Sequence, residues 1–312
     1  MAIPVLLWGA AAVLAATGVV KGAAAMSDLD DAKDMGERAE RRYKRKNREL
    51  DNIRNETNQK LAELGALKVE IFGNQIKHIL QVIKNSSNKN AKSSLKDFNT
   101  TFSIEEIKQM EKMVEHSLEL GTNLASSATA GILTGIGVYG SIPLIATAST
   151  GTAISTLSGV AATNATLAWL GGGSLAAGGL GMTGGMLALG GIVIGPALAV
   201  GGFMLANQAE EALTKARAYK AEVAEAVAQI DLVIEGIKGL QENTAEVRYT
   251  LEQMVQRFEE VRVDSVDEPN FQAMLLIGKA LKELMDIRII EEDGSPIPHI
   301  KEQCSGYLEI KV

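Results

Sequence analysis

LGTNLASSATAGILTGIGVYGSIPLIATASTGTAISTLSGVAATNATLAWLGGGSLAAGGLGMTGGMLALGGIVIGPALAVGGFMLANQA, Leu120 to Ala209, contains no Asp, Glu, Lys, Arg or His. Charge is dense on both sides: Glu115, His116 and Glu119 precede it, and Glu210, Glu211, Lys215 and Arg217 follow. The segment is several times the roughly 20 apolar residues that span a bilayer as a helix. A soluble domain needs charge on its solvent faces, because a surface of Gly, Ala, Leu and Thr aggregates. The central third is therefore either inserted in a membrane or sheltered beneath the flanking helices until it inserts.

Working outward, two long helices are expected to flank it. Between about Asp28 and Ile83, Tyr43, Leu50, Thr57, Leu64 and Ile71 recur every seven residues, with a weaker row through Ile53, Leu61 and Leu67. Beyond the segment, Val223, Ile230, Ile237, Thr244, Leu251 and Phe258 show the same period, beside Val233, Leu240 and Val247. Such rows mark amphipathic helices with one apolar seam. Their matched length and period suggest an antiparallel coiled coil with the uncharged segment at one end. Gly65 and Gly73 read as defects in the first helix, either of which would mark a bend. A mobile loop is expected over residues 84–101, rich in Asn, Ser and Lys. Ser103 and Glu106 form a capping box that opens a further helix.

The N-terminus carries a second membrane signal. Ala2 to Val20 has no charge, and Lys21, Lys33, Arg38, Arg41, Arg42, Lys44, Arg45 and Lys46 follow. Two readings stand: an uncleaved anchor, favoured because no basic residue precedes the apolar run, and a signal peptide cleaved after an Ala23–Ala25 motif. With the anchor, the positive-inside tendency places the bulk of the chain in the cytoplasm, at a bacterial inner membrane. Arg38, Arg41, Arg42, Lys44, Arg45 and Lys46 would then meet anionic headgroups.

Within the uncharged segment Gly173, Ala177, Gly181 and Gly185 are four apart and share one helix face. Gly131 with Gly135, and Gly191 with Gly195, repeat the spacing. Small residues at this interval let two backbones approach closely. They serve equally a glycine zipper that assembles copies of the chain and a tight hairpin within one copy. Leu187, Leu189, Ile192, Val193 and Ile194 would face lipid.

Chemistry is poorly represented. The net charge of −7 leaves no global basic footprint for nucleic acid, and aromatic residues are only 4% of the chain, too few for stacking platforms. Gly179 to Gly184 fits the G-x-G-x-x-G string, but no strand pattern precedes it and no acidic ribose partner follows. His78 and His116 read as surface residues of amphipathic helices. His299 and Cys304 lie close in sequence but lack a third, orienting group. No catalytic set, metal site or cofactor is expected.

Ala146 to Gly202 resembles a glycine-rich, glycine-zipper-like hydrophobic module of uncharacterised bacterial membrane proteins, in which long helices flank the module. Leu281 to Gly294, LKELMDIRIIEEDG, resembles a motif near their C-termini. In plan the chain is similar to α-helical pore-forming toxins, whose long helices shelter a hydrophobic hairpin. The resemblance implies a membrane protein and conveys no enzymatic activity.

The expected architecture is all-α: an elongated antiparallel coiled coil, a glycine-rich hydrophobic helical hairpin and a small C-terminal α/β appendage. The parts are a membrane anchor (1–25), a first stalk arm (26–119), the membrane-active segment (120–209), a second arm (210–265) and the appendage (266–312). In the appendage, a strand around Ile287–Ile290 would pair with Tyr307–Val312 in a hairpin. The expected function is a non-enzymatic, membrane-inserting effector that oligomerises and permeabilises the bilayer, as a toxin or a cell-suicide defence effector does. The alternative is a membrane-anchored scaffold or tether, with a protein partner on the coiled coil or the C-terminal appendage.

Overall fold

A computed structural model of the chain describes residues 19–85, 102–121, 130–140, 209–291 and 295–311. The helices are α1 (Val19–Ile71), α2 (Lys77–Asn85), α3 (Ile104–Gly121), α4 (Ala130–Tyr139), α5 (Ala209–Val261), α6 (Phe271–Asp286) and α7 (Ile300–Leu308), and a π-turn, Phe72–Ile76, joins α1 to α2. Among the described residues the fold is all-α, and pairing of β type is confined to an isolated antiparallel bridge between Ile290 and Pro296. The chain forms two compact units, Met1–Asn47 with Ile194–Gln229, and Arg48–Val193 with Ile230–Val312.

In the first unit α1 and α5 meet through small residues. Ala32 packs on Ala212 and Ala216, flanked by Met35 and Leu213. Further along, Ala39 and Tyr43 pack on Tyr219, Val223 and Val227. Residue numbers ascend together on both helices, so α1 and α5 run parallel here.

The second unit shows the same direction through its polar contacts. Gln241 donates to the Thr57 hydroxyl at 2.7 Å, Arg248 to Glu63 at 2.8 Å and Gln75 to Glu259 at 2.7 Å. Each pair is separated by 184 or 185 residues. An antiparallel pair would hold the sum of the two numbers constant, whereas here the difference is constant. The antiparallel arrangement expected from the sequence is therefore corrected to a parallel one. The seven-residue rows state which face packs and not which way the partner runs. The seam itself is as read: Leu50, Thr57, Leu64 and Ile71 on α1 are buried, as are Ile230, Ile237, Thr244, Leu251 and Phe258 on α5. Thr57 and Thr244 satisfy their hydroxyls on the carbonyls of Ile53 and Leu240, four residues back.

A large hydrophobic core joins the described helices of the second unit. Leu61, Leu64, Phe72, Ile76, Met110, Leu133, Ile136, Met254, Phe258, Leu281, Leu284 and Ile300 belong to it. The C-terminal residues are thus helical members of that core, and the expected α/β appendage is corrected accordingly. Tyr307 and Leu308, expected in a strand, close α7. In place of the expected hairpin with Tyr307–Val312, Ile297 N–H donates to Ile289 O (3.1 Å) and Glu291 N–H to Ser295 O (2.8 Å). Asn243 of α5 donates to the carbonyls of Ile289 and Ile297, at 3.2 and 2.9 Å. Arg257 holds the chain end through the carbonyls of Leu308 and Ile310.

The capping box opens α3 as expected: Ser103 N–H donates to Glu106 at 2.7 Å, and Glu106 N–H to the Ser103 hydroxyl at 3.2 Å. Those bonds from Ser103 hold the Glu106 carboxyl below its usual range. Gly65 lies in unbroken α-helix, while Gly73 falls in the π-turn. Most of the N-terminal anchor, the loop from residue 86 to 101 and the glycine-rich hairpin lie outside the described residues.

Candidate functional site: the buried end of the first uncharged helix

The helix α4 belongs to the uncharged segment. Leu133, Thr134, Ile136 and Val138 are all buried. No residue of α4 is charged, and α1 packs against it at very short range. A Cβ on Gly65 would stand 1.9 Å from the Leu133 carbonyl oxygen, and one on Gly137 would stand 2.2 Å from the Leu61 carbonyl oxygen. Leu61 and Gly65 are one turn apart on α1, as are Leu133 and Gly137 on α4, so the crossing is reciprocal. Each glycine admits the other helix's backbone, and dispersion over the closely fitted surfaces replaces side-chain interdigitation.

One turn beyond Gly65 stands Lys68, which is 0% exposed. Its Nζ lies 3.4 Å from Ile136 O, 3.3 Å from Gly137 O and 3.4 Å from Ile287 O. Ile136 and Gly137 belong to the last turn of α4, whose carbonyls lack partners within the helix. Ile287 is the C-cap of α6. Lys68 therefore bridges two helix C-termini, where partial negative charge collects. The next carbonyl, Val138 O, accepts from Ile289 N–H at 3.0 Å. An ammonium has three donors to match the three carbonyls around it. Burial opposes the charge and pushes the lysine down to about 7, although Asp286 and Cys304 pull it back up.

Gly140 ends α4 with φ of +77°, the left-handed conformation that favours glycine. A Cβ there would also lie 2.7 Å from Asp286 O and 2.8 Å from both Asp286 C and Cα. Gly140→Ala combines left-handed strain with backbone overlap and is expected to destabilise the second unit by about 2–4 kcal/mol. Gly236 is the control: nothing lies within 4 Å of an added Cβ, so Gly236→Ala should gain up to about 1 kcal/mol. Urea unfolding of both variants checks the contrast, and equal shifts would refute it.

A polar cluster gathers at the π-turn. His78, expected on the surface, is buried. Its Nε2 lies 2.8 Å from Val263 O, and Arg262 approaches Nδ1 at 3.2 Å. A carbonyl can only accept and a guanidinium can only donate, so this pairing selects the neutral imidazole with its proton on Nε2. Asp264 lies 3.7 Å from the same nitrogen. Burial pushes the Glu259 carboxyl up, but hydrogen bonds from Gln75 and Arg262 prevail and hold it below its usual range. Gly73, Lys77, His78, Glu259 and Arg262 help line a cleft of about 340 Å³. His78, Glu259 and Arg262 are engaged with one another or with backbone, and the arrangement acts as a strap from α2 to the end of α5.

His299 and Cys304 do not form a pair. His299, in the left-handed conformation ahead of α7, turns to Glu302 at 3.5 Å and is exposed. Cys304 is buried, and burial pushes its thiol up. Among the described residues no group of three His, Cys, Asp or Glu could hold a metal ion.

Of the packing glycines read from the sequence, Gly131 and Gly135 lie in α4, and Gly135 is buried. Gly173, Ala177, Gly181, Gly185, Gly191 and Gly195 lie outside the described residues, as do Leu187, Leu189, Ile192, Val193 and Ile194. The basic run lies on α1 with Arg38, Arg41, Arg42, Lys44 and Arg45 exposed and Lys46 half-buried. Arg38, Arg41 and Lys44 pair with Asp34, Glu37 and Glu40 one turn back, at 3.8, 3.0 and 2.6 Å. Among the described glycines, an added Cβ would meet backbone most closely at Gly65, Gly137 and Gly140, and Lys68 is a buried cation. No protein-family model, curated protein or solved structure matches this chain.

Proposed function

We propose that this chain is a non-enzymatic, membrane-inserting effector that keeps part of its uncharged segment sheltered until insertion. The observation that carries the reading is α4: an uncharged apolar helix from that segment, buried in the core of a charged helical unit. Among the described residues no helix is long and apolar enough to cross a membrane. The spanning elements in this proposal are the N-terminal apolar run and the glycine-rich stretch Gly171 to Ala206. Gly173, Ala177, Gly181 and Gly185 would pack copies of the chain together in the bilayer, and Arg42 and Arg45 would lead the contact with anionic headgroups at a bacterial inner membrane. Permeabilisation by such an oligomer is the activity of a toxin or a cell-suicide defence effector.

Dye release from anionic-lipid vesicles by the full chain, beside a Gly181→Leu/Gly185→Leu variant, tests the proposal. Release by wild type and not by the variant is the expected result. A second reading, a membrane-anchored tether with a protein partner on α5, draws on Leu232 and Tyr249, which are 72% and 54% exposed. Vesicle flotation with no release by either chain would overturn the effector reading in favour of the tether.

A further inference from the structure

We propose that the docking of α4 is an autoinhibitory contact and that Lys68 is its latch, so that freeing the end of α4 releases the uncharged segment. The inference rests on the membrane-inserting reading and adds how insertion is held in check.

The latch lies at the C-terminal turn of α4. The carbonyls of Ile136 and Gly137 accept from Lys68, and that of Val138 accepts from Ile289. All of these donors come from other parts of the second unit. Lys68 also holds Ile287 O, so the same amine ties α4 to the end of α6. If Lys68 withdraws, buried carbonyls lose their donor, which the core cannot replace. The Gly65–Gly137 crossing lies one turn away and opens with it.

The latch senses protons because Lys68 is charged more readily in water than in the dock. The groups facing it are Asp286 of α6, itself paired with Lys282 at 3.0 Å, and Cys304 of α7, which in turn senses Glu246 of α5. From α4 it receives backbone carbonyls. When the dock opens, the solvated amine returns to the ordinary lysine value and takes up a proton. Opening is therefore favoured as pH falls from the lysine value of 10.5 towards about 7, and levels off below that.

Hydrogen exchange of residues 130–139 in the full chain, corrected at each pH for intrinsic amide rates, tests the latch. Residues 251–258 of α5 report global unfolding. In wild type the opening of α4 should increase roughly tenfold from pH 9 to pH 8 and change little below pH 7. In K68M it should be faster than wild type at pH 9 and lose that pH dependence. Opening of α4 that ignores pH in wild type, or that follows residues 251–258 under all conditions, overturns the latch. The wild-type series stands by itself if K68M misfolds. Vesicle dye release on the same samples separates the two claims: α4 that opens as expected without dye release sinks the membrane reading and leaves the latch.

Discussion

Gly65→Ala is expected to destabilise the second unit by about 3 kcal/mol, even though alanine is the better helix former by about 1 kcal/mol. The new methyl would stand 1.9 Å from Leu133 O, 2.6 Å from Leu133 C and 3.0 Å from Leu133 Cα. All three are backbone atoms, so no rotamer change relieves the overlap and the two helices must separate. Separation loosens Leu61, Leu64, Leu133 and Ile136, each at most 6% exposed. For a unit of this size the melting temperature should fall by about 6–12 °C. Gly137→Ala meets Leu61 O at 2.2 Å and should behave alike. The double variant is the sharper test. Once one methyl has pushed the helices apart, the second finds room, so the combined loss should be smaller than the sum by about 1–3 kcal/mol. Strict additivity in urea titrations would show that the two glycines do not share one crossing.

Lys68 should give the second unit a stability that rises with pH. Its value in the folded protein is pushed down to about 7, below the 10.5 of an ordinary lysine. Between these limits the unfolded chain holds a proton that the folded chain has released, so stability climbs through this window and is flat with respect to this group below it. The full rise is on the order of 5 kcal/mol. Cys304 and Tyr307 oppose it at high pH, since burial makes each keep its proton longer than an unfolded chain would. The difference between wild type and K68M isolates the lysine. Near pH 7 the substitution removes a costly buried charge as well as donors to three carbonyls, and the two effects offset. At pH 9 the charge is absent from the folded protein and the lost donors dominate, so K68M should be clearly the less stable. Urea midpoints at pH 7, 8 and 9 decide this, and parallel curves for the two chains would refute it.

Both sites leave a trace in the sequence that is plain once the fold is known. The row Tyr43, Leu50, Thr57, Leu64, Ile71 continues at the next seventh residue to His78, which is buried. A second row, Leu61, Lys68, Gln75, Val82, is buried throughout. Its polar members, Lys68 and Gln75, make long-range contacts, Lys68 with α4 and Gln75 with Glu259. A polar residue that keeps an apolar period is thus a signal of burial with a partner, and taking the apolar members alone passes over it. Gly65 was legible as unusual in a long helix, but a bend and a close approach look the same in one chain of letters. The small-residue spacing marked Gly131 and Gly135 and passed over Gly137, which meets the Leu61 backbone and whose four-residue partner is Leu133.

The sequence by itself determined the helices, their seams and the capping box at Ser103, because each depends on residues within a turn or two of one another. It also marked the uncharged segment, since composition alone shows where charge is missing. Only the tertiary structure decided that α1 and α5 run parallel, because an apolar seam is satisfied by a partner in either direction. Only the tertiary structure decided that the C-terminal residues join the core as helix, because short alternations such as Ile287–Ile290 suit a strand or a buried turn equally. The place of Lys68 depends on two helix ends brought together from distant parts of the chain, and local sequence carries no record of which carbonyls will be left to accept.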